Sequence, residues 1–121
     1  MNIEDMNKRE IKISLEESFQ ILKAVRKYME FKTLKFESTP NDLIHSEYEL
    51  MKARAEAINN NKSDVVLKLD DAYRIRHYII YYMSYKEPLR NFKEASKLIF
   101  GEESGSAFIK FNNLIESEMI T

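Results

Sequence analysis

Apolar residues recur along this chain in two rhythms. Over residues 15–36 they return every three or four positions, at Leu15, Phe19, Leu22, Val25 and Met29, the spacing that gathers side chains on one face of an α-helix. Ser14 followed by Glu17 sets a capping box at the front of that segment. A second helix is expected from Pro40, a favoured residue in a first helical turn, with Asp42 close behind it. Its buried stripe reads as Ile44, Tyr48, Met51, Ala55 and Ile58, and the run from Asn59 to Asn61 supplies the stop. A third helix extends to about Lys86, with Leu69, Tyr73, Arg76, Ile80 and Met83 as its core side. Pro88 opens a fourth, carrying Leu89, Phe92, Ala95 and Ile99, and Gly101 closes it. Residues 102–105 read as a loop before a last helix that buries Phe108, Phe111, Leu114 and Ile115. The second rhythm is alternation, seen in two short stretches, Ile11 to Ile13 and Val65 to Leu67, which are candidates for a two-stranded ribbon.

The two halves resemble each other. At an offset of 54, Leu15 overlies Leu69, Ile21 overlies Ile75, Tyr28 overlies Tyr82, Met29 overlies Met83 and Lys32 overlies Lys86. The expected architecture is therefore an all-α, five-helix single domain over residues 1–121: a flexible N-terminus (1–10), two helical hairpins (11–60 and 63–101) related by a pseudo-twofold repeat, and a C-terminal helix (105–120). With only two glycines and two prolines, the chain has too few turn residues for an all-β fold.

Composition narrows the function classes. Basic and acidic residues number 19 and 20, so no global field concentrates the chain on nucleic acid or an anionic membrane. Charge is uneven along the chain: residues 8–36 carry eight cations and four acids, whereas residues 101–121 carry one and four. The absence of cysteine removes disulfides and thiol nucleophiles, and no apolar run approaches a membrane span, which makes the cytoplasm the expected compartment. Phe, Tyr, Ile, Asn and Lys supply 49 of the 121 residues. All five have AT-rich codons, and with the small size they suggest a phage or mobile-element protein.

Catalytic chemistry finds little support. There is no glycine-rich phosphate loop or nucleophile elbow, and the two histidines, His45 and His77, fall on different helices. His45 with Glu49 supplies two metal ligands at most, short of a site, and Asp70 with Asp71 reads as helix-end electrostatics. No catalytic residue, cofactor or metal is expected. Arg26 and Arg76 fall on apolar stripes and require partners, for which Glu47 and Glu94 are the candidates.

The most informative stretch is the run from Tyr73 to Tyr85, which holds five of the seven tyrosines. On a helical wheel Arg74, Tyr78, Tyr81 and Tyr85 share one side, flanked by His77 and Tyr82. Tyrosine and arginine are enriched at binding hot spots, so Arg74, His77, Tyr78, Tyr81 and Tyr85 are the expected partner-binding set. The expectation is a small non-enzymatic protein-binding module that inhibits or redirects a host enzyme by occupying it. A homodimer is a further expectation: Phe31 and Leu34 mark either the docking place of the last helix or the edges of a dimer seam. The alternative is a nucleic-acid-associated regulator using Lys23, Arg26, Lys27, Arg74 and Tyr78. A bland reading competes with both: the tyrosine face is simply covered by the rest of the chain.

Overall fold

The structure, a computed structural model, describes residues 2–120. Its elements run α1 (Ile3–Met6), β1 (Glu10–Ser14), α2 (Leu15–Leu34), α3 (Asn41–Asn59), β2 (Asp64–Lys68), α4 (Leu69–Lys86) and α5 (Phe92–Ile120). The mostly helical class is as expected, and among the described residues no helix is long and apolar enough to cross a membrane. Where the sequence suggested a flexible lead, residues 2–10 instead form a helical turn and the start of a strand, and Met6 is buried.

The two alternating stretches pair as an antiparallel ribbon. Ile11, Ile13, Val65 and Leu67 point into the core and Lys12 and Val66 point out, as a period of two requires. Lys12 lies opposite Val66, and those two positions are themselves 54 apart. The ribbon is thus centred on the pseudo-twofold axis. Backbone bonds at its two ends obey the same symmetry: Leu15 N–H donates to the Ser63 carbonyl and Leu69 N–H to the Arg9 carbonyl, both at 2.9 Å.

Each strand runs directly into a long helix. At the start of α2 the Ser14 hydroxyl accepts from Glu17 N–H at 3.0 Å, and the Glu17 carboxylate accepts from Ser14 N–H at 3.1 Å. At the start of α4 no side chain caps the helix, but Asp70 and Asp71 place negative charge at the positive end of its dipole. The repeat-related side chains take matching places: Ile21 and Ile75 are fully buried, and the buried rings of Tyr28 and Tyr82 meet edge to face with centroids 6.0 Å apart. α2 and α4 form the centre of the molecule. α3 packs on α2, α4 and β2, and α5 packs on α2, α4 and β1.

Several expectations need correction. Pro40 is the cap residue of α3, one place ahead of the first turn. The turn after α4 contains Pro88 and fully exposed Leu89; the next helix begins at Phe92, capped by Asn91, whose side-chain oxygen accepts from Glu94 N–H. Gly101 does interrupt the helix, at φ 87°, but no loop follows it, because residues 102–105 resume helical structure at once. Gly105 is buried in that second arm, where an added Cβ would lie 2.7 Å from the Ser96 carbonyl oxygen and from Lys97 Cα. The two arms of α5 cross there at backbone contact.

The buried faces of three helices are also turned from the expected phase. In α2 the core takes Ser18, Ile21, Leu22, Val25 and Tyr28, and Phe19 is partly exposed. In α4 it takes Ile75, Ile79 and Tyr82, with Tyr73, Arg76 and Ile80 only half-buried. In α3 the reversal is complete: Leu43, Ser46, Leu50 and Ala57 are buried, while Ile44, Tyr48, Met51, Ala55 and Ile58 all face solvent. The one polar member of this buried face is satisfied, the Ser46 hydroxyl donating to Asp71 at 2.9 Å.

Candidate protein-binding face

α4 positions the expected set, and the structure divides its tyrosines by burial. Tyr82, expected on the flank, is core, packed against Tyr28, Phe31 and Phe100. Tyr73 and Tyr78 are half-buried. Tyr81 and Tyr85 remain 58% and 54% exposed, so the other described residues do not cover them. Tyr85 is nevertheless ordered by neighbours: its ring lies 5.2 Å from that of Phe31, and the Lys35 ammonium sits 4.3 Å from its centroid.

Lys35 ties the end of α2 to this ridge, and it stands between two residues that the sequence reading did not assign to the face. Leu34, read as a seam edge, is 73% exposed, and Phe36 is 99% exposed. Phe36 also has φ 57°, a left-handed conformation that bulky L-residues rarely adopt. Its backbone explains the geometry. Phe36 N–H donates to the Thr33 carbonyl and Glu37 N–H to the Lys32 carbonyl, the pair of bonds that ends a helix in a Schellman motif with glycine usually at the left-handed place. The other left-handed helix end, after α3, holds Asn61 at φ 54° with the same two bonds. The available sequence signal was a phenylalanine where a helix terminator belongs.

At the other end of the α4 face, Arg74, His77 and Tyr78 converge on a cavity of about 270 Å³ together with Met6, Asp42, Asp70 and Tyr73. The Tyr78 phenol donates to Asp42 at 2.7 Å, and its ring packs on Tyr28 and His77. Burial, and then the hydrogen bond to Asp42, push that phenol up to about 12, so it is held as a donor across the physiological range. Arg74 lies 3.3 Å from a carboxylate oxygen of both Asp70 and Asp71. Its charge is therefore committed within the chain. Burial pushes the Asp71 carboxyl above the usual aspartate range and neighbouring Asp70 adds to the effect, against the opposing influence of the Ser46 hydroxyl, His45 and Arg74. Asp70 is buried, and one of its oxygens, Oδ1, has no hydrogen-bond partner among the described residues.

The nucleic-acid set does not converge. Lys27 donates to the Ile99 carbonyl on α5, whereas Arg26 turns the other way to pair with Glu47 at 3.7 Å on α3. Lys23 lies over the Phe19 ring, and Arg74 and Tyr78 are held by carboxylates. Of the expected partners for the two stripe arginines, Glu47 does pair with Arg26, which is itself exposed. Arg76 instead reaches Glu116 at 2.7 Å, and Glu94 pairs with Arg90. His45 faces Asp71 at 3.9 Å and Glu49 faces Lys52, so the two do not turn to a common point. Compared with protein-family models, curated proteins and solved structures, the chain matches none.

Proposed function

We propose that this chain is a non-catalytic protein-binding module, and that its partner docks on the ridge formed by Tyr81 and Tyr85 with the adjoining Leu34 and Phe36. The observation carrying this reading is the exposure of four large apolar side chains at one end of the α2 and α4 pair, around a lysine already stacked on aromatic rings. Exposed aromatic residues on rigid helices bury large areas at small entropic cost, and contiguous apolar surface of this kind marks interaction sites. The cavity beside Tyr78 supplies a polar anchor: the unpartnered Asp70 oxygen and Asp42 favour a hydrogen-bond donor, and a basic side chain of the partner meets both. In a phage or mobile-element setting such a module acts by covering or redirecting a host enzyme.

The test is a double replacement, Tyr81→Ala with Tyr85→Ala. Both rings are more than half exposed, so the melting temperature should move little while capture of a protein partner from lysate is lost. Capture that survives the double replacement removes the ridge from consideration. Binding of a mixed oligonucleotide that falls steeply with added salt would replace this reading with the nucleic-acid one.

A further inference from the structure

No helix covers the outward face of α3 among the described residues, although Arg26 of α2 reaches over its edge to Met51 Sδ at 3.7 Å, and its five apolar side chains keep a 4-3-4-3 spacing over residues 44–58. That spacing is the seam of a two-helix coiled coil, in which knobs recur every 3.5 residues. Ile44, Tyr48, Met51 and Ile58 are 46%, 58%, 41% and 52% exposed, on a stripe about 21 Å long at 1.5 Å per residue. We propose that this stripe pairs with the same stripe of a second copy of the chain, antiparallel, about a twofold axis at Met51.

The identity of the occupant follows from size and charge. With Met51 set against its symmetry mate, Tyr48 falls opposite Ala55 of the other copy and Ile44 opposite Ile58, so the bulkiest knob meets the smallest. A parallel pairing in register instead stacks Tyr48 on Tyr48 and Ala55 on Ala55, leaving one thick layer and one thin, and aligns the two helix dipoles unfavourably. One flank agrees with the antiparallel choice. Glu49 falls opposite Lys52 and His45 opposite Glu56, while on the other flank Glu47 and Arg54 are held within the chain, by Arg26 and by the Ser18 hydroxyl. Within one chain Glu49 and Lys52 already lie 3.3 Å apart, so the second copy would extend this pair into a four-membered network.

The area is sufficient for a modest dimer. The stripe exposes on the order of 500 Å² per copy, and two copies together reach roughly the 1,000 Å² at which specific interfaces begin. A contact of that size predicts dissociation in the micromolar range rather than an obligate dimer. The seam residues are distinct from Tyr81, Tyr85, Leu34 and Phe36, so failure of either proposal leaves the other standing.

Sedimentation equilibrium of the full chain across a concentration series tests this directly. The expected result is a concentration-dependent mass rising from 14.4 kDa toward twice that value. Met51→Glu sets two carboxylates against each other on the axis and should weaken association by roughly a hundredfold or more, with the helical circular dichroism unchanged. Lys52→Glu should also weaken it, and the swap Glu49→Lys with Lys52→Glu should restore it. For orientation, the natural lack of cysteine allows clean cross-linking: Ile44→Cys and Ile58→Cys chains should form a disulfide with each other when mixed, and neither should do so alone. A monomeric mass at every concentration, or self-cross-linking of Ile44→Cys, would overturn the proposal.

Discussion

Replacing Phe36 with glycine should make this protein more stable and less able to bind. The ring is 99% exposed, so its removal forfeits no burial within the chain. The left-handed backbone at φ 57° costs an L-residue about 1–2 kcal/mol, and glycine relieves that cost. Glycine gives back roughly 0.5–1 kcal/mol through the larger entropy of its unfolded chain. The net gain is centred on about 0.75 kcal/mol and reaches at most about 1.5 kcal/mol, a melting temperature about 2–5 °C higher at the centre of that range in a domain of this size. Phe36→Asn should fall between the two, because asparagine already occupies the equivalent place at Asn61. Thermal unfolding followed by circular dichroism measures the first effect, and partner capture under the same conditions measures the second. A fall in melting temperature on Phe36→Gly would mean that the ring packs within the chain in solution, and the ridge would lose its outermost member. Unchanged capture would mean that the strain has no role in binding.

Gly105→Ala should act in the opposite sense. Its Cβ would meet backbone atoms at 2.7 Å, and the resulting overpacking of about 1–3 kcal/mol exceeds the gain of about 1 kcal/mol in helix propensity, so a melting temperature that rises would refute the close crossing in α5. Asp71 holds its proton more tightly folded than unfolded, so its ionisation opposes folding at neutral pH and not below the ordinary aspartate range. Asp71→Asn should therefore gain stability relative to the natural chain as pH rises through that range, in denaturant midpoints taken across pH, and a relative loss growing with pH would contradict the assignment. Asp42→Asn should bring the Tyr78 phenol down from about 12 toward the usual tyrosine range, visible as an earlier rise of tyrosinate absorbance; an unmoved titration would mean that burial alone sets it.

Local rules made much of this fold legible. The capping box at Ser14 and the alternation at Ile11 to Ile13 and Val65 to Leu67 depend on neighbours in sequence, the offset of 54 on comparing the chain with itself, and each reappears in the structure. The phase of the helices did not yield so easily, because a helix with two apolar faces offers two solutions. In α3 the stripe Ile44 through Ile58 carries more large apolar side chains than Leu43, Leu50 and Ala57, yet the latter face is the one buried against α2 and α4. Which face is buried depends on the partner surface, which a single helix does not encode. The candidate face was legible in part for the same reason. The wheel put Arg74, Tyr78, Tyr81 and Tyr85 on one side, of which the structure leaves Tyr81 and Tyr85 exposed and ties Arg74 and Tyr78 to carboxylates, whereas Tyr82 disappears into the core only because Tyr28 and Phe100 arrive from elsewhere. Phe36 escaped notice because exposure and backbone strain are invisible until the end of α2 is placed.

The symmetric ribbon has a consequence for how the molecule is made. β1 can complete its ladder only after β2 has left the ribosome, 54 residues later, and Tyr28 waits the same length of chain for Tyr82. Until then a nascent chain presents Ile11, Ile13 and an unpaired strand edge to its surroundings, a state prone to mispairing. Severing the turn between α3 and β2 should accordingly yield two fragments that are each poorly folded but recover native helicity when mixed, since each half completes the other's interior.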